Sequence, residues 1–125
     1  MKSVKKIFVI DDDRFILNLC RTVLEAEGFE VSVFERAGDC LKHFADSSGD
    51  LIVFDFLMPD MDGEQFIARI AEMTSGSPPP LILYSAASGD LVTKIKQNPH
   101  LTGMISKGTP VMEIPRAMEK ILAGA

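Results

Sequence analysis

The sequence predicts an α/β fold, a parallel sheet of five strands with helices on both faces. Short apolar runs alternate with segments whose apolar residues recur at helical spacing, which implies strand and helix in strict alternation. Most of the runs also stop abruptly at a charged or hydroxyl residue. The clearest is Leu51 to Phe54, four apolar residues in a row, as a strand buried on both faces requires; it delivers Asp55 into the loop FLMPDMDG.

Lys5 to Ile10 reads as the first strand, ended by Asp11, Asp12 and Asp13. From Arg14 the residues Phe15, Ile16, Leu19, Cys20, Val23 and Leu24 repeat as one face of a helix, with Asp13 placed to cap it and Gly28 to stop it. Glu30 to Phe34 alternates as a second strand, and a shorter helix through Leu41, His43 and Phe44 ends at the polar break Ser47 to Asp50. After the central strand, Asp60 and Asp62 read as turn residues beside Pro59 and Gly63, and Phe66, Ile67, Ile70 and Ala71 mark a third helix. The loop SGSPPP ends it. Leu81 to Tyr84 is the fourth strand, stopping at Ser85. Ser88 or Asp90 is placed to cap a helix carrying Leu91, Val92 and Ile95, which Asn98 and Pro99 terminate. Gly103 to Ser106 is a short fifth strand ended by Lys107. Val111, Ile114, Met118, Ile121 and Leu122 form the stripe of a last helix, with Pro115 tolerable in its first turn.

The length suits one domain, residues 1–125. With 46% hydrophobic and 25% charged residues the composition excludes a disordered chain, and no apolar run approaches the roughly 20 residues of a membrane span. The N-terminal MKSVKKIFVI runs straight into aspartates without a small-residue cleavage site, so no secretory leader is expected. A net charge of -5 argues against direct nucleic-acid binding. Cys20 and Cys40 lie within helical patterns and read as buried free thiols, in keeping with a cytoplasmic location. His43 and His100 have no paired ligand spacing and read as surface or helix-face residues.

In a parallel sheet the strands' carboxyl ends share one edge, where α/β folds bind ligands. Asp11, Asp12, Asp55, Ser85 and Lys107 are therefore expected to converge. Clustered carboxylates repel one another unless a cation neutralises them, and an all-oxygen donor set favours Mg²⁺. A metal, an ammonium and a hydroxyl around a nucleophilic carboxylate make a set suited to phosphoryl transfer, with Asp55 attacking in line.

Over its whole length the chain resembles the receiver domain of bacterial two-component response regulators. The resemblance rests on the acidic pair Asp11 and Asp12, on Asp55 followed by MPDMDG, on Ser85 followed by Ala86, and on Lys107. It implies a flavodoxin-like doubly wound sheet of order 2-1-3-4-5 with five helices. It implies that Asp55 is phosphorylated, that Mg²⁺ is held by Asp12 directly, Asp11 mostly through water, Asp55 and the Leu57 backbone carbonyl, and that Ser85 and Lys107 act on the phosphoryl group. The phosphate donor would be a phosphohistidine on a histidine kinase or histidine phosphotransfer protein. The chain would be a signalling protein rather than a turnover enzyme, with a downstream protein partner on the face formed by the fourth helix, fifth strand and last helix. Two residues depart from the family pattern. Gly108 follows the lysine where proline is usual, so the loop is expected to differ, and Met104 stands where an aromatic switch residue is usual, so it becomes the switch partner of Ser85.

Two other readings compete. A degenerate receiver would be an unphosphorylated protein-binding module. A haloacid-dehalogenase-like phosphatase would use Asp11 and Asp13 as its D-x-D pair, but the chain is too short for a cap domain and lacks the later acidic pair.

Overall fold

The computed structural model describes residues 4–124. In chain order the elements are β1 (Lys6–Ile10), α1 (Arg14–Ala26), β2 (Glu30–Phe34), α2 (Ala37–Asp46), β3 (Leu51–Phe54), α3 (Gly63–Met73), β4 (Leu81–Ser85), α4 (Asp90–Lys96), β5 (Gly103–Ser106) and α5 (Ile114–Gly124). All five strands pair in parallel in the order β2-β1-β3-β4-β5, the doubly wound, flavodoxin-like arrangement. The chain winds one way from β1 to β2 and the other way from β3 onward. The switch point therefore falls between β1 and β3, at the strand ends that carry Asp11 and Asp55.

Period-two alternation divides the core into two layers. Phe8, Ile10, Ile52, Phe54 and Leu83 pack with residues of α2, α3 and α4, including Phe44, Phe66, Ile70 and Ile95. Ile7, Val9, Leu51, Val53, Ile82 and Tyr84 pack on the other face with Leu17, Leu24, Ile114 and Met118 of α1 and α5. All four residues of β3 are buried, which explains why that run carries no polar alternation. Cys20 and Cys40 are buried free thiols, and burial pushes them up to about 11 and about 12 respectively. No helix among the described residues is long and apolar enough to cross a membrane.

The helix starts follow local chemistry in two cases and depart from it in three. Asp13 caps α1 by accepting from the N–H groups of Phe15 (2.9 Å) and Ile16 (3.3 Å). Asp62 forms a capping box with Gln65 at the start of α3. Neither Ser88 nor Asp90 caps α4. Gly89 is its N-cap, at φ +70°, and offers no side-chain acceptor to the first turn. Val111 lies outside the last helix, in a 3₁₀ turn spanning Val111–Glu113, and α5 begins at Ile114 with Pro115 in its first turn. The N-cap of α2 is Arg36, which has no side-chain acceptor to offer, and Asp60 from the loop after β3 bonds to the start of that helix instead.

Gly103 opens β5 because α5 passes directly over it. A Cβ added there would lie 2.6 Å from Ile121 Cγ2, closer than carbon atoms approach. Gly103→Ala is expected to force β5 and α5 apart and to lower unfolding stability by about 1–3 kcal/mol, the usual cost of overpacking. Urea denaturation checks this, with Gly124→Ala, whose added Cβ meets nothing within 4 Å, as the neutral control.

Candidate functional site at the carboxyl edge of the sheet

Register brings the acidic residues together. Ile10 pairs with Phe54, so Asp11 and Asp55 leave adjacent strands side by side, and Asp55 N–H donates to the Ile10 carbonyl at 3.2 Å. One oxygen from each of Asp11, Asp12 and Asp55 lies within 4.8 Å of the others. Asp11 is buried, Asp55 half-buried and Asp12 exposed.

Lys107 joins this cluster from the end of β5. Its Nζ lies 2.8 Å from Asp55 Oδ2 and 2.6 Å from Asp11 Oδ2, and 5.7 Å from the centre of the Tyr84 ring. The Lys107 N–H donates to the Ser85 carbonyl at 3.0 Å, which ties the lysine's backbone to the end of β4. Burial opposes the ammonium, but the carboxylates of Asp11 and Asp55 more than offset it and hold Lys107 above the usual lysine range.

Asp11 shows the opposite balance. Burial raises its carboxyl above the usual range, and neither the Lys107 contact nor the Asp13 N–H at 3.0 Å fully offsets that. A folded value above the unfolded one means that this group contributes most to stability below the ordinary carboxylate range. That contribution is lost as pH rises through the folded value. The charge count, independently of that balance, leaves three clustered carboxylates with one ammonium, a shortage of positive charge.

That shortage suits a divalent cation. Three carboxylates face one ammonium. Asp11 Oδ2 is buried with the Lys107 ammonium, 2.6 Å away, as its charge partner, and Lys107 is shared with Asp55. The donors are all oxygens, the set that Mg²⁺ prefers. Leu57, two residues beyond Asp55, pairs with Asp62 in a single antiparallel bridge. The bridge uses the N–H groups of Met58 and Gly63 and leaves the Leu57 carbonyl out of the ladder.

Ser85 ends β4, where its carbonyl accepts from Lys107 N–H; its side chain is buried, with the Oγ accepting from Ala87 N–H at 3.0 Å. That bond occupies an acceptor position and leaves the O–H free to donate. Met104 does not reach the cluster. It pairs with Leu83 and packs, partly buried with Ala87, against the core layer beneath α4.

Gly108 takes a role that proline cannot fill. Its N–H donates to Ser106 Oγ at 3.1 Å, closing a tight turn after Lys107, and there is no cis peptide among the described residues. Asp13, the second member of the phosphatase-like pair, is committed to capping α1. Two contacts had no signature in the sequence. Tyr84 reads only as a strand residue, although it is the single tyrosine and immediately precedes Ser85. Phe56 N–H donates to Asp55 Oδ1 at 2.7 Å, a bond any residue at that position can make.

The family model for the response regulator receiver domain matches residues 7–119. The chain therefore belongs to the response regulator receiver domain family. The transcriptional regulatory protein TrcR of Mycobacterium tuberculosis is 25% identical over 118 residues, covering 94% of this chain and 42% of its own. The DNA-binding transcriptional regulator NtrC of Azospirillum brasilense is 35% identical over 94 residues, 75% of this chain and 19% of its own. The chain thus spans less than half the length of these curated relatives. Among solved structures, a CheY-like receiver domain protein from Methanospirillum hungatei superposes with a TM-score of 0.84 at 24% identity, covering 98% of this chain and 96% of that one. The chemotaxis response regulator CheY4 of Vibrio cholerae gives 0.85 at 18% identity, covering 95% and 99%. At these identities the two structures establish the fold.

Proposed function

We propose that Asp55 accepts a phosphoryl group from a phosphohistidine on a histidine kinase or histidine phosphotransfer protein, and that its phosphorylation switches a protein-binding face. The observation that carries this reading is Lys107 bridging Asp11 and Asp55 at the switch point. In the transfer, the bond from phosphorus to the imidazole nitrogen breaks and its electron pair stays on the ring, while an Asp55 oxygen forms the new bond. Asp12, Asp55 and the Leu57 carbonyl would hold Mg²⁺ directly, and Asp11 mostly through water. When bound, the ion supplies positive charge to the phosphoryl oxygens. Lys107 gives up its pairing with Asp55 to bond a phosphoryl oxygen, and Ser85 donates its free O–H to another. The two buried thiols are as a reducing, cytoplasmic compartment would keep them.

Output follows from what moves with Ser85 and Lys107. A Ser85 drawn toward the phosphoryl group releases the Ala87 N–H and loosens the loop to α4, whose one buried residue is Ile95. Met104 packs against the same core layer as Ala87, which supports it as the residue that fills the space. Its unbranched chain has no single preferred rotamer, so the two states lie close in energy and the switch is soft. The partner face is then α4, β5 and α5. Amide chemical shifts with Mg²⁺, with and without beryllofluoride as a phosphoryl mimic, test this. Changes are expected at Met104, Ala87 and α4; changes confined to α1 and α2 would place the output elsewhere.

The lifetime of the phosphoaspartate follows from two side chains. Leu57 and Ala87, each two residues beyond a site residue, have no polar group to orient a hydrolytic water, so decay should be slow. Leu57 is 66% exposed and free to change without repacking. Leu57→Asn is expected to shorten the lifetime several-fold, by about 1 kcal/mol of barrier. Decay of labelled protein measures it, and an unchanged or longer lifetime would sink the idea.

A further inference from the structure

The loop that follows Asp55 is fastened at two places. At its base Gly63 N–H donates to the Phe56 carbonyl at 2.7 Å and Met58 N–H to the Met61 carbonyl at 3.3 Å, closing a small hairpin. At its tip Asp60 reaches across to the first turn of α2. Oδ1 accepts from Ala37 N–H at 3.0 Å and Oδ2 from Gly38 N–H at 2.8 Å. A helix start leaves such N–H groups without partners, and Arg36 at the N-cap position cannot serve them. Gly38 leaves room for this approach, because a Cβ there would lie 3.0 Å from Asp60 Oδ2 and crowd it.

We propose that Asp60 is a positioning residue for the cation site, fixing the Leu57 carbonyl by fastening the loop tip to α2 and thereby coupling α2 to occupancy of that site. The inference rests on the assignment of the Leu57 carbonyl and the acidic cluster as the Mg²⁺ site. The Leu57 side chain is exposed and gives its backbone no anchor. Phe56 and Met58 on either side are buried, which fixes the near half of the hairpin. The far half, Pro59 to Met61, is held by the Asp60 carboxylate, by the partly buried Met61 side chain and by the 3.3 Å hydrogen bond from Met58 N–H to the Met61 carbonyl, which ties it to the residue after Leu57. Groups that orient a metal's ligands set its affinity although they never touch it. Coupling is also reciprocal, so a cation that settles the Leu57 carbonyl must tighten the grip of Asp60 on α2 by the same factor.

The test separates the positioning of the loop from the stability of the helix, on the full chain. Mg²⁺ affinity by calorimetry, melting temperature and exchange of the Ala37 and Gly38 amides are measured together. Asp60→Ala is expected to weaken Mg²⁺ binding about tenfold and to lower the melting temperature. Adding Arg36→Ser gives α2 a cap of its own and should restore the melting temperature while Mg²⁺ binding stays weak. Gly38→Ala, which crowds the carboxylate from the other side, should weaken binding in the same direction. In the wild type, Mg²⁺ should slow exchange of the Ala37 and Gly38 amides. Wild-type affinity in Asp60→Ala, or affinity that returns with stability in the double variant, would overturn the proposal alone. A wild type that bound no Mg²⁺ would overturn the assignment of the cation site and this inference with it.

Discussion

Asp55→Asn is expected to fold, to take no phosphoryl group from acetyl phosphate, and to show none of the shifts that beryllofluoride induces in the wild type. The substitution preserves volume, so the neighbouring core residues keep their packing. It removes the carboxylate proposed as the nucleophile, and a neutral amide cannot replace it. Asp55 uses both carboxylate oxygens as acceptors, one for Phe56 N–H and one for Lys107 Nζ. Asparagine has one acceptor, so one of these contacts is lost, at a cost of about 1 kcal/mol. The fold tolerates that, whereas labelling should fall to background. Radiolabelled acetyl phosphate with Mg²⁺ measures it. A stoichiometric label on the variant would move the nucleophile elsewhere, with Asp12 the next candidate.

Lys107→Ala separates phosphorylation from response. In the wild type the lysine partly offsets the charge of Asp11 and Asp55, and its backbone is hydrogen-bonded to the end of β4. Removing the ammonium leaves two carboxylates facing each other, one of them buried. Losing a partner of a fully buried ion pair costs about 3–5 kcal/mol. Here the loss should be nearer 2 kcal/mol, because Asp11 can take up a proton and Mg²⁺ can replace part of the charge. The larger effect is on signalling. Without a side chain linking the phosphoryl oxygens to β5, the beryllofluoride-induced shifts at Met104 and Ile105 should largely disappear, while labelling of Asp55 survives at a reduced rate. Wild-type shifts at Met104 in this variant would show that the lysine is not the link.

Much of this site was legible because the sheet does most of the placing. The apolar runs ending at Asp11, Asp55, Ser85 and Lys107 are visible in one dimension, and parallel pairing puts all their ends on one edge. Once the strands are read correctly, proximity follows. Asp60 is the counter-example. A carboxylate in a turn looks the same whether it serves its own turn or the amides of a helix 23 positions away. The available signal lay at the other end of the contact, where α2 starts after Arg36 with no Ser, Thr, Asp or Asn to cap it, so its first N–H groups needed an acceptor from outside. Gly103 was hidden for a related reason. Only the packing of α5 over β5 shows that Ile121 occupies the space a side chain would need. The start of α4 was misread because Ser88 and Asp90 are both good caps on paper. The backbone instead turns at Gly89 with positive φ, placing Asp90 inside the helix.

The central claim is that one carboxylate at the switch point, Asp55, takes a phosphoryl group with the help of a cation held by its neighbours. The most direct test is the intact mass of the wild-type chain after incubation with acetyl phosphate, with and without Mg²⁺, followed by mapping of the modified residue. The account predicts one hydroxylamine-labile phosphoryl group per chain, carried by Asp55 and formed only when Mg²⁺ is present. An unmodified chain, a label on another residue, or continuous turnover of acetyl phosphate by an unlabelled protein would contradict it.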